Sequence, residues 1–100
     1  MKRVFISMPM KGKSDEEVYQ DMEKAKTRVK ELWGDSIQIL DSICKDYDSN
    51  KGRGQFVRFS IKLLATADAL YVCRGWERAP GCALEVECAT HFDMQIAFEQ

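Results

Sequence analysis

The stretch ADALYVCRGWERAPGCALEVECA, Ala67 to Ala89, changes its residue periodicity twice, and those changes set the fold. Asp68 to Gly75 is a β-forming run opened by an acid and closed by glycine, which predicts a strand. A loop holding Trp76, Arg78 and Pro80 follows, and a helix is predicted from about Pro80 to Phe92. Glu85 and Glu87 fall just inside that helix. Helix N-termini favour acids by a few tenths to about 1 kcal/mol, so dipole attraction is one explanation for them. Two positions apart, the glutamates diverge by about 200° and cannot face one pocket. Ala83, Val86, Ala89 and Thr90 form the stripe expected against a sheet. Glu85 is expected beside that stripe, at a pocket edge outside the core, and Glu87 farther round in solvent.

Upstream, VFISM at Val4 to Met8 is a β-forming cluster bounded by Pro9 and Gly12, a buried strand and its loop. Ser14 and Glu17 in SDEE form a capping box. Val18, Met22, Ala25, Val29, Leu32 and Trp33 recur at helical spacing until Gly34 stops the helix. Ser36 to Ile43 alternates in part, as a second strand does, and the polar segment from Asp41 to Gln55 is long for a connection. Phe56, Phe59, Leu63, Leu64 and Ala67 mark a second helix, and MQIAFEQ at Met94 to Gln100 a last strand. Strands alternating with helices predict a single α/β domain over residues 1–100, a flavodoxin-like three-layer sandwich. About four parallel strands would carry helices on both faces.

Fifteen basic and sixteen acidic residues leave a net charge of −1, with no footprint for a nucleic acid polymer or an acidic membrane. No run approaches the roughly 20 apolar residues that span a bilayer. The basic-then-apolar start is short, interrupted by Pro9 and without a cleavage site, so the chain is expected to be cytoplasmic. Cys44, Cys73, Cys82 and Cys88 lack paired zinc spacing, and no metal or cofactor is expected. Cys82 lies near a helix start but has no base nearby, since the only histidine, His91, is more than two turns on.

In open parallel sheets ligands bind beyond the carboxyl ends of the strands. Three segments end there: SMPMKGK, the Asp41 to Gln55 loop and CRGWERAPG. They carry no GxGxxG and no GxxxxGK. A receiver-type signalling domain is disfavoured because no acidic pair follows the first strand. Trp76 suits stacking on a base or covering the core, and Arg74 and Arg78 suit a phosphate or solvent. Tyr71, mid-strand, reads as core.

Two motifs carry a resemblance. VFISMPMKG is similar to a first strand and loop ending in a Pro-Met-x-Gly type turn. ADALYVCRGWERAPGCALEVECA is similar to a signature with Ala-Asp before a strand, Gly-Trp after it, then Gly-Ala/Cys-x-x-Glu-x-x-x-Ala. On these motifs the chain resembles the nucleoside 2-deoxyribosyltransferase-like superfamily and, within it, the short DUF4406 family.

The resemblance implies chemistry at the glycosidic bond of a nucleoside or nucleotide, by a transferase or a hydrolase. The glutamate matching Glu85 would attack the anomeric carbon. Met8, Pro9, Gly12, Asp41, Ser60, Gly75, Trp76, Ala79 and Gly81 would line the substrate site. Relatives carry an aspartate at the position of Ser60, where it helps protonate the leaving base, and Asp or Ser at the position of Ala79. Asp41, Asp46 and Asp48 are candidate substitutes. A catalytically weakened or inactive nucleotide-binding module is therefore the alternative. The resemblance also implies a homodimer or larger homo-oligomer in which a neighbouring subunit closes the site. The large side chains of Met22, Trp33, Phe56, Phe59 and Phe92 would then serve an interface or fill the layers beside the sheet.

Overall fold

The computed structural model describes residues 1–10, 12–40 and 53–99, with side chains from residue 58 onward in the last segment. Along the chain run β1 (Lys2–Ser7), α1 (Asp15–Trp33), β2 (Ile37–Ile39), α2 (Arg53–Leu64), β3 (Ala69–Val72), a 3₁₀ turn (Trp76–Arg78), α3 (Pro80–His91) and β4 (Gln95–Phe98). All pairings are parallel and the sheet order is β2-β1-β3-β4. That is the start of the flavodoxin-like order.

Local chemistry fixes the elements. The Ser14 hydroxyl accepts from the Glu17 N–H at 3.2 Å, and the Glu17 carboxylate accepts from the Ser14 N–H at 3.3 Å. This box closes two orphan donors at the start of α1. The helix ends at Gly34, whose φ of 87° favours glycine. Its ψ of 179° places it outside the left-handed helical well of a simple αL cap. Asp68 sets β3 beside β1: its N–H donates to the Arg3 carbonyl at 2.7 Å, and its carboxylate accepts from the Arg3 N–H at 2.8 Å.

Strand alternation then sorts the core into two layers. Val4, Ile6 and Met8, with Ala69, Tyr71 and Cys73, face Met22, Ala25 and Val29 of α1. Phe5, Leu70 and Val72 pack with Leu64 of α2 and Ala89 of α3 on the other face. Each large apolar side chain so buried contributes roughly 1.5–3 kcal/mol.

Several boundaries differ from expectation. Strand β2 pairs over Ile37–Ile39 alone, while Asp41 to Ile43 lie outside the described residues. Helix α2 begins at Arg53, so Arg53 to Gln55 belong to it and not to the loop. Met22 is core and Trp33 packs against the same layer, with the Lys2 ammonium 5.2 Å from its ring centroid. Both side chains thus pack into the α1 layer, Met22 buried and Trp33 half-buried. Phe92 is exposed.

Candidate active site

The pleat that sends Met8 towards α1 sends Ser7, the last residue of β1, the opposite way. There it meets Glu85 in the second turn of α3. Ser7 Oγ donates to Glu85 Oε1 at 2.6 Å, a short charge-assisted bond. Glu85 is only 5% exposed. Burial pushes its carboxyl up to about 6, opposed by the Ser7 hydroxyl and then by the Ser60 hydroxyl. Ser60, on α2, is equally buried, and its Oγ makes no hydrogen bond of good geometry among the described residues. Cys82, one turn earlier on α3, completes this buried patch. Burial raises its thiol to about 11; the Ser7 hydroxyl opposes that shift and the Glu85 charge adds to it. Cys82 is thus a neutral thiol at neutral pH, not a nucleophile.

This placement corrects the expected helix face. The buried positions of α3 are Cys82, Glu85 and Ala89, spaced i, i+3 and i+7. Glu85 therefore lies within the sheet-facing stripe and not at a pocket edge. Thr90, expected in that stripe, is exposed and returns its hydroxyl to the Val86 carbonyl at 2.8 Å. The stripe tolerates a carboxylate because Ser7 offers a donor where every neighbouring strand position is apolar. Glu87 is exposed, as expected.

The other predicted residues divide between the two faces. Pro9 and Gly75 meet at the carboxyl edge, where a Cβ on Gly75 would stand 3.6 Å from Pro9 Cγ. Gly75 has φ 87° and leads the 3₁₀ turn. Trp76 lies half-buried against the α2–α3 layer, its ring centroid 5.5 Å from that of Phe98, so it covers the core. Ala79 caps α3 without a side-chain hydrogen bond, followed by Pro80 at the first turn and half-buried Gly81. Gly12, at φ 80° in open space, eases the turn before α1. Met8 belongs to the opposite face. Asp41, Asp46 and Asp48 lie outside the described residues. Sequence reasoning missed Ser7; its signal was a lone hydroxyl at the last inward position of an otherwise apolar strand.

Residues 2–98 match the family described as Domain of unknown function (DUF4406). The chain belongs to that family. No curated protein and no solved structure matches it. Among its described residues, no cluster of three histidine, cysteine or carboxylate side chains suits a metal, and no helix is long and apolar enough to cross a membrane.

The DUF4406 domain also carries a groove on its α1 face. It encloses about 220 Å³ between α1 and the ends of β3 and β4. Tyr71 and Cys73 form part of its wall, Lys24 and Arg28 approach from α1, and Arg74 and Glu99 follow β3 and β4. The Glu99 carboxylate accepts from the Arg74 N–H at 2.8 Å and ties the two strand ends together.

Proposed function

We propose that this DUF4406 domain acts on the glycosidic bond of 2′-deoxynucleosides or their 5′-monophosphates, as a 2-deoxyribosyltransferase or N-glycosidase, with Glu85 as nucleophile. One observation carries the reading: a carboxylate buried at the carboxyl edge of a parallel sheet, held by a single serine hydroxyl at 2.6 Å. Burying a carboxylate is costly, and functional carboxylates are often kept in such surroundings. The resemblance of the Ala67 to Ala89 signature to the nucleoside 2-deoxyribosyltransferase-like superfamily supports the same assignment.

The chemistry suits the group. A Glu85 oxygen would form a bond to C1′ as the C1′–N bond breaks, the bond's electron pair leaving with the base, which takes up a proton. Water or a second base would then resolve the sugar ester. A fixed anion stabilises the oxocarbenium-like transition state and captures the sugar. With a pKa of about 6, Glu85 is mostly ionised at pH 7.

A second reading, a nucleotide-binding module without catalysis, is favoured by Ser60 and Ala79, which provide no acid to protonate the leaving base. One assay separates the two. Wild type, Glu85→Gln and Glu87→Gln are incubated with deoxynucleosides and their monophosphates, with and without an acceptor base, and free base is measured. The enzyme reading expects release that falls below about pH 6 as Glu85 takes a proton, and a loss of about 10³-fold or more in Glu85→Gln. Glu87→Gln should match wild type. Binding without release supports the module, and undiminished release by Glu85→Gln sinks the nucleophile.

A homodimer or larger assembly belongs to this proposal, with exposed Tyr19, Leu32, Phe92 and Phe98 as apolar surface for it. Sedimentation equilibrium at micromolar concentration is expected to show more than the monomer mass.

A further inference from the structure

The α1-face groove has the composition of a ligand site, and the Glu85 chemistry does not use it. Four cations, Lys13, Lys24, Arg28 and Arg74, line it against two carboxylates, Asp21 and Glu99. The carboxylates are already engaged. Asp21 pairs with Lys13 at 2.6 Å, and Glu99 accepts from the Arg74 backbone. Arg28 holds Glu31 at 2.6 Å in an exposed pair, which is weak enough to be exchanged for a better anion. The Lys24 and Arg74 side chains make no ion pair or hydrogen bond among the described residues.

Below the cations the wall is Tyr71 and Cys73. Burial is the main cause holding both above their ordinary pKa, Cys73 at about 12, so they present neutral O–H and S–H donors at neutral pH. An anion entering here would meet surplus positive charge above and uncharged donors below. A volume of about 220 Å³ is small beside the roughly 300–1,000 Å³ of pockets for drug-sized ligands. It suits a phosphoryl group with few further atoms, not a whole nucleotide.

We propose that this groove is a second binding site of the protein, taking a small phosphate dianion, free or as a monoester, through Lys24, Arg28 and Arg74. It is separate from the Glu85 site. Tyr71 and Cys73 belong to the core layer facing α1, whereas Ser7 directs its hydroxyl to Glu85 on the other face. Phosphate here would therefore be held by side chains other than those that surround the Glu85 carboxylate. Guanidinium groups recognise phosphate through paired N–H donors, so Arg28 and Arg74 supply the directional contacts and Lys24 a point charge.

The test is an amide NMR titration of the full chain with inorganic phosphate and, separately, ribose 5-phosphate, with ionic strength held constant by sodium chloride. Saturable shifts are expected at Asp21 to Arg28 and at Cys73 and Arg74. Tighter binding of the ester would identify a monoester as the ligand, and equal binding would identify free phosphate. The double variant Lys24→Ala with Arg74→Ala should weaken binding about tenfold or more. Its spectrum should otherwise stay native, because both side chains are exposed. Glu85→Gln should bind as wild type does, whatever its effect on base release. Several results would overturn the proposal: no saturation by about 10 mM, the same shifts with chloride alone, shifts centred on Ser7 and Glu85, or unchanged affinity in the double variant.

Discussion

At one edge of the sheet, the two faces hold charge in opposite ways. On the α2–α3 face a single carboxylate, Glu85, is out of contact with bulk water and answered by one short hydrogen bond. On the α1 face six charged side chains surround a groove open to solvent. Adjacent residues, Ser7 and Met8, belong to these different surroundings because successive side chains of a strand point apart. The lesson is one of dielectric. Exposed pairs such as Lys13 and Asp21 are worth about 0–1 kcal/mol, whereas one buried carboxylate can cost more than several such pairs return.

That contrast is testable by removing one polar group at a time. The largest effect is expected for Ser7→Ala, which leaves the buried carboxylate without its 2.6 Å donor. Urea unfolding near pH 7 should show a loss of about 1.5–3 kcal/mol, the worth of a hydrogen bond to a charged group. The loss should shrink in a Glu85→Gln background, where no charge remains to be stabilised. An equal loss in both backgrounds would mean that Ser7 contributes only packing.

Next is Glu85→Gln, read as stability against pH. The folded carboxyl sits at about 6, above its ordinary 4.5. Folding thus favours the protonated form, and that contribution is complete below about pH 4.5 and lost as pH rises through about 6. Between those limits wild type should lose about 2 kcal/mol that Glu85→Gln keeps. Parallel unfolding curves for the two proteins across this range would break the comparison. The smallest effect is expected for Tyr71→Phe. This removes a buried hydroxyl that meets the Arg28 guanidinium at the wall of the groove, and urea unfolding near neutral pH should show a loss of about 1 kcal/mol.

How legible all this was in the sequence depends on whether the signal was local. The box at Ser14 and Glu17, the stop at Gly34 and the stripe of Met22, Ala25 and Val29 are short-range patterns, and α1 follows from them. The alternation of strands and helices led to the parallel sheet for the same reason. The face of Glu85 was not legible. Apolar periodicity assigns a carboxylate to the outside by default, and its partner, Ser7, is 78 residues away. The hydroxyl of Ser60 reaches the same spot from a third element. Only the fold brings the three together.

The pairing of Arg3 with Asp68 has a consequence for the order in which the chain acquires its structure. It joins residues 65 positions apart, while the neighbouring pairing on the other side of β1 joins Lys2 to Ile37. Doubling a loop costs only about 0.6 kcal/mol in closure entropy, so the longer excursion matters little to the finished molecule. It matters to the path, because contacts distant in sequence slow folding. During synthesis, β1 would have one side open until Ala69–Val72 had emerged, its apolar VFISM run exposed to any other unpaired strand. The strand that supplies Ser7 is thus made before the other three strands, yet stays open on one side until the third has emerged.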